Sequence, residues 1–239
     1  MQKLIKYLLI LLFIMISVFS FPQLVYKNKG VSKSSGSVSN GGLANAYKLP
    51  YCGENYSYFS PLSYYILGRA YVHSRVYKTV INSYKKSEKE CSGIQFKFME
   101  CSNKKGGKMF PHQTHQNGLS IDFMTPLVKN GKPHRFYDHL GIFRYLLNFD
   151  NSGNLKLNKN VSIDFETMAK HIVILDKEAR KNGLRVKKVI LKVELKDDLF
   201  KTKTGKLLKK RGIYFVQKLP EKINKLHDDH YHIDFGFIK

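Results

Sequence analysis

Alternation with a period of two marks several stretches of this chain as strands. In Leu119-Ser120-Ile121-Asp122-Phe123 the apolar side chains share one face while Ser120 and Asp122 share the other. His230-Tyr231-His232-Ile233-Asp234-Phe235 reads the same way, so Tyr231, Ile233 and Phe235 pack on one face and His230 and His232 project side by side from the opposite one. Gly93 to Met99 is a third alternating candidate, and Val186 to Leu195, rich in β-branched residues, is a fourth. Helical spacing takes over in two places. From Tyr56 to Lys86 the pattern is helix-like, with Val76, Val80, Ile81 and Tyr84 facing a core. Phe165 to Asn182 is amphipathic, with Ile172, Leu175 and Ala179 in its apolar stripe and Asn182-Gly183 as its stop. The basic run Lys201 to Arg211 reads as a solvated loop. These elements predict an α+β fold, a small antiparallel sheet packed by helices from the regions near Tyr65 and Ile172.

The N-terminus departs from both periodicities. Met1 to Ser20 reads as a secretory signal, with Lys3 and Lys6 ahead of a continuously apolar Leu8 to Met15 and a cut after Ser20. An uncleaved anchor is the alternative, although the run is short of the ~20 residues a membrane span needs; either way the rest of the chain is exported. Residues 21–38, with Lys-Ser-Ser-Gly-Ser in the middle, have too little apolar surface to offset ordering entropy and read as a flexible lead-in. At 239 residues, 43% of them hydrophobic, the remainder can bury one substantial core.

Charge narrows the partners. Lys and Arg number 41 against 18 Asp and Glu, for a formal net charge of +23, which favours anionic surfaces. Zinc-finger spacing, an RRM-like aromatic signature and a glycine-rich phosphate loop are all absent, so nucleic acid is not expected as the partner. In an oxidising compartment Cys91 and Cys101, flanking the third strand candidate, are candidates for a disulfide; Cys52 makes the count odd.

The chemistry gathers in two histidine clusters more than a hundred residues apart. His112-Gln-Thr-His115 runs into the strand ending at Asp122, and His227-Asp-Asp-His230-Tyr-His232 lies almost at the C-terminus. Imidazole nitrogen and carboxylate oxygen are zinc ligands, and a catalytic site uses three of them plus water. Two strands could aim His115, Asp122 and His232 at a common point. The isolated His134, His139 and His171 read as ordinary surface histidines. No HExxH helix motif is present, and no cysteine pair has metal-ligand spacing.

HQTHQNGLSID followed by a late HxxHxH resembles the penicillin-insensitive murein endopeptidases, relatives of D-Ala-D-Ala metallopeptidases, lysostaphin-type peptidases and the hedgehog signalling domain. The family's first motif reads HxxHQTGLxVD; here Asn117 replaces its threonine and Ser120 fills the variable slot. Asn40-Gly41-Gly42-Leu43 to Leu49-Pro50 is similar to the family's N-terminal signature and places the start of the folded domain, 39–239, near Ser39. Arg69-Ala-Tyr71-Val-His73 resembles an Arg-x-Tyr-Gly-His stretch, within which His73 reads first as a buried structural residue. Gly106-Gly107-Lys108 resembles the family's approach to the first cluster, serving either close backbone contact with substrate or an ordinary turn.

The resemblance implies zinc held by His115, Asp122 and His232, with His230 as the catalytic histidine and His112 and His227 lining the site. It implies a periplasmic or secreted hydrolase of peptidoglycan cross-links, cutting D-alanyl-diaminopimelate bonds. Rivals are a D-Ala-D-Ala carboxypeptidase or L-Ala-D-Glu endopeptidase of the same fold, and a non-catalytic zinc module that binds the wall. Lys203-Thr-Gly205 matches the KTG of β-lactam-sensitive enzymes, but the SxxK nucleophile they need does not accompany it.

Overall fold

A computed structural model describes residues 5–12 and 26–238. Residues 5–12 are helical (α1) and exposed. The expected cleavage point after Ser20 lies outside the described residues. Among those described, no helix is long and apolar enough to cross a membrane.

The chain then runs through β1 (Lys33–Ser37), β2 (Asn40–Ala44), β3 (Tyr47–Lys48), β4 (Tyr56–Tyr58) and β5 (Tyr71–Val72) to α2 (Ser74–Glu90). It continues through β6 (Phe96–Phe98), β7 (Ser120–Met124), β8 (Leu127–Lys129), β9 (Lys132–Pro133), β10 (Asn154–Leu155) and β11 (Asn158–Ile163) to α3 (Phe165–Lys181). β12 (Leu184–Ile190), α4 (Lys196–Lys201), α5 (Gly205–Lys210), α6 (Glu221–Lys225) and β13 (His230–Phe237) complete it. The fold is α+β. Its main sheet has the order β12-β13-β7-β6-β4, antiparallel throughout except for the β4–β6 pair.

One face of that sheet makes the core. Ile121, Phe123, Tyr231, Ile233 and Phe235 are all buried, and α2 and α3 lie over them. His171 of α3, expected at the surface, is instead fully buried here: its Nδ1 bonds the Tyr231 hydroxyl, and its ring stacks on Tyr84 and Phe96. Burial drives its pKa down to about 3, so it packs as a neutral aromatic. Alternation then forces the other face to carry Ser120, Asp122, His230, His232 and Asp234.

Several expectations change. The helix expected from Tyr56 begins only at Ser74, where the His73 ring accepts the Arg75 N–H at 3.1 Å and caps α2. Before it, Tyr56 and Tyr58 alternate inward on β4, and only a five-residue π-turn, Leu62–Ile66, occupies the region near Tyr65 between Pro61 and Gly68. Residues 26–38 are not a loose lead-in. β1 pairs with β2 along its length, Tyr26 donates to the Ala46 carbonyl, and the Ser32 hydroxyl accepts the Ser74 N–H. Backbone pairing supplies there what apolar side chains do not.

The basic run also folds. Leu199 and Leu208 are buried, Glu166 accepts both the N–H and the hydroxyl of Thr204, and Arg211 pairs with Asp176, so α4 and α5 are held against α3 while Lys201, Lys206, Lys209 and Lys210 face solvent. Cys52, Cys91 and Cys101 are all free thiols. The Cys91–Cys101 link is not formed because Cys91 ends α2 while β6 carries Cys101 onward to the Arg69 carbonyl, which accepts its N–H.

Candidate metal centre

Strand register brings the two clusters together. β7 and β13 pair so that His232 lies opposite Asp122, Asp234 opposite Ser120, and His230 opposite Met124. The 112–119 loop folds back over this face through backbone bonds, Gln116 N–H to Val38 and Gly107 N–H to both Gly41 and Gln116. Gly106, at φ +71, is required for that approach, since a Cβ there would sit 2.2 Å from the Gln116 carbonyl oxygen. Gly106 therefore serves packing of the cluster loop, whereas a Cβ on Gly107 would meet nothing within 4 Å. His115 itself takes φ +66, a left-handed backbone that costs a non-glycine residue on the order of 1 kcal/mol and that the surrounding loop must hold. Asn117 closes the loop by accepting the Leu119 N–H on its side-chain oxygen.

Asp122 stands at the centre. His115 Nε2 lies 3.2 Å from Oδ2, His112 Nδ1 3.9 Å from the same oxygen, and His232 Nδ1 2.7 Å from Oδ1. His112, His115 and Asp122 each offer one donor atom within 4.8 Å of the others, an arrangement able to hold a metal ion. His232 is held at both ends, because its Nε2 also bonds Asp234 Oδ1 at 2.7 Å. Asp234 is fixed in turn by the Ser120 hydroxyl at 2.6 Å and by Lys188 at 2.7 Å. His230 Nδ1 bonds the neighbouring Asp229 at 2.7 Å, and His227, its ring 4.9 Å from that of His230, donates Nδ1–H to the Ile223 carbonyl.

The electrostatics sort these groups by partner. Burial works against ionising Asp122, yet the His115 charge and the bonds from His115 and His232 outweigh it and hold its pKa well below the carboxylate range. For His232, burial is overcome by Asp234 and by the bonds to both carboxylates, which raise it to about 9. His230 is likewise raised, its burial outweighed by Asp229. For His112 burial outweighs the more distant Asp122, and for His227 it outweighs the bond to Ile223, pushing them down to about 3 and about 4. Neutral imidazole is the form that ligates metal, so an ion held by His232 would take the place of its Nδ1 proton.

A second layer comes from elsewhere in the chain. Glu100 is joined to Asp122 by backbone, the Asp122 N–H donating to its carbonyl, and its carboxylate accepts from Ser63 and faces Arg69 at 3.6 Å. Burial raises Glu100 from 4.5 to about 7. A carboxyl raised on folding binds more protons in the native state, so its contribution is most favourable below about pH 4.5 and is lost as pH rises towards 7. At 1.4 kcal/mol per pH unit the loss is roughly 3 kcal/mol. Glu100→Gln should therefore flatten the pH dependence of stability of the metal-free protein between pH 4.5 and 7. Parallel urea midpoints across that range for variant and wild type would contradict this account.

Sequence reasoning placed His112, His115, Asp122, His227, His230 and His232, and the fold gathers all six around one end of the β7–β13 pair. It missed Asp234, although the same two-residue alternation that set His230 and His232 on one face extends to it. Asp229 and Glu100 carried no comparable local signal, and Arg69 was noticed only as part of the Arg-x-Tyr-Gly-His resemblance, without a site role.

The model of the family described as penicillin-insensitive murein endopeptidase matches residues 34–236. No curated protein matches the chain.

Proposed function

Since the chain belongs to the penicillin-insensitive murein endopeptidase family, we propose that it is an exported zinc peptidase hydrolysing D-alanyl-diaminopimelate cross-links of peptidoglycan. The observation that carries this reading is the clamp on His232. A ligating histidine characteristically gives its second ring nitrogen to a carboxylate, and Asp234 occupies that position on Nε2 while Nδ1 faces Asp122. His115, Asp122 and His232 would hold the ion, with His112 beside them.

A bound zinc would supply an acidified water and polarise the scissile carbonyl. The chain's own groups do the rest. Asp229 fixes His230 through Nδ1, leaving Nε2 to take a proton from the attacking water and return it to the departing amine. His227, with Nδ1–H committed to Ile223, retains Nε2 as an acceptor beside His230. No serine nucleophile takes part, so β-lactams have nothing to acylate. The excess of cationic side chains suits an anionic wall.

The test pairs metal analysis with chromatography of muropeptides after incubation with cross-linked sacculi, for wild type and His230→Ala. We expect stoichiometric zinc in both, and conversion of dimers to monomers lowered roughly 10²- to 10⁴-fold in the variant. Zinc in both with cleavage by neither would favour a wall-binding module. Release of terminal D-alanine alone would favour a carboxypeptidase, and absence of zinc from both would sink the metal reading.

A further inference from the structure

Tyr145 lies in the short 3₁₀ helix Gly141–Leu146, outside every motif that carries the family resemblance. Its ring stands edge-on to His230, with centroids 5.8 Å apart and planes at 88°, and edge-on to Phe59 on its other side at 5.6 Å. Its hydroxyl oxygen is buried and has no hydrogen-bond partner. The charged groups around it are Glu100, Asp122, Asp229 and Arg69, which are those of the site.

An unpartnered buried hydroxyl is uncommon and calls for a reason. Other inward phenols in this protein have structural partners: Tyr58 bonds Ser63 and the Arg69 carbonyl, Tyr64 the Leu49 carbonyl, and Tyr231 the ring of His171. Tyr84 is also unpartnered, but it stacks on His171 and Tyr56, on the helical side of the sheet. Among the described residues, Tyr145 alone combines a free phenol with contact to the catalytic face. Burial, and then Glu100, Asp122 and Asp229, hold its pKa well above the usual phenol value, so it remains a donor.

We propose that Tyr145 is a further catalytic residue whose hydroxyl donates a hydrogen bond to the oxyanion that develops on the scissile carbonyl. The inference rests on the hydrolytic reading above. When water adds to the carbonyl carbon, the C=O π pair moves onto oxygen, and the Tyr145 O–H engages that oxygen without giving up its proton. As the C–N bond breaks, the pair returns to the carbonyl and the amine leaves with the proton held on His230. A donor pre-placed in a dry site and paired only in the transition state raises kcat without tightening ground-state binding.

Tyr145→Phe removes one oxygen and no existing hydrogen bond. Three experiments test it on the zinc-loaded enzyme: kcat and KM for a defined cross-linked muropeptide dimer, the Kd of a phosphinate analogue of the scissile dipeptide, and Tm with zinc content. Expected are a fall in kcat of about 10²- to 10³-fold, a comparable loss of phosphinate affinity, KM within about twofold, full zinc, and a Tm no lower than wild type. A variant matching wild type in kcat and phosphinate affinity overturns the proposal, as does one that loses zinc or drops in Tm, which would mark a structural role. Should wild type itself neither cleave the dimer nor bind the phosphinate, the peptidase reading falls, and this proposal with it.

Discussion

Asp122→Asn is expected to abolish stoichiometric metal binding and to lower kcat/KM by at least about a thousandfold, equivalent to roughly 4 kcal/mol of transition-state stabilisation. Asp122 is the one anionic group that the histidines of both clusters approach, at 3.2 Å from His115 and 2.7 Å from His232. Asparagine keeps the shape and one acceptor but removes the charge that would balance a divalent ion. The substitution also strips His232 of one of the two carboxylates that raise its pKa, so the ring titrates lower in the metal-free variant. Metal analysis after dialysis, muropeptide assays and far-UV circular dichroism check the outcome together. A folded variant with full metal and wild-type turnover would remove Asp122 from the centre.

Arg144→Met is expected to cost about 3–5 kcal/mol of stability, the range for removing one partner from a buried charge cluster. Arg144 is fully buried. Its Nη2 reaches the Thr125 hydroxyl at 3.1 Å and, at 3.3 and 3.4 Å, the carbonyls of Thr125 and Asp229, and its charge faces Asp229, Asp138 and Asp228. Methionine fills much of the volume but removes the one cation the three carboxylates share, leaving His230 on Asp229, Lys192 near Asp228, and Lys97 and Arg135 near Asp138. With ~2–4 °C per kcal/mol for a chain of this size, Tm should fall by roughly 6–20 °C near neutral pH. The deficit should shrink at acid pH, because burial already raises Asp138 to about 6 and its protonation removes part of the uncompensated charge. An unchanged Tm at pH 7, or a deficit that grows on acidification, would contradict this reading. Lysine is a poor substitute because a point charge cannot reproduce the guanidinium fork.

Much of the site could be read before folding was known. Period-two alternation over 119–123 and 230–235 is a local property, and it set Asp122 apart from Ile121 and Phe123, and His230 and His232 apart from Tyr231 and Ile233. Reading α3 within one residue was equally local, since its apolar stripe and Asn182-Gly183 stop lie within a single segment. The errors came where burial depended on distant partners. Lys201 to Arg211 looks like a solvated loop until α3 offers Leu208 a surface and Asp176 offers Arg211 a carboxylate. His171 looks like any polar helix residue until Tyr231 arrives from sixty residues away. Tyr56 to Tyr58 became a strand because Phe96 to Phe98 lay ready to pair with it.

The sequence by itself determined the α+β class, the face of each histidine-bearing strand, and the types of donor group gathered there, since residue type and spacing are properties of the chain alone. Tertiary structure decided the rest: that Asp122 pairs in register with His232, that Asp234 and Asp229 secure the two strand histidines, and that Glu100, Arg144 and Tyr145 enclose them. Those relations depend on hydrogen-bond register and on burial, and both exist only once segments far apart in the chain have met.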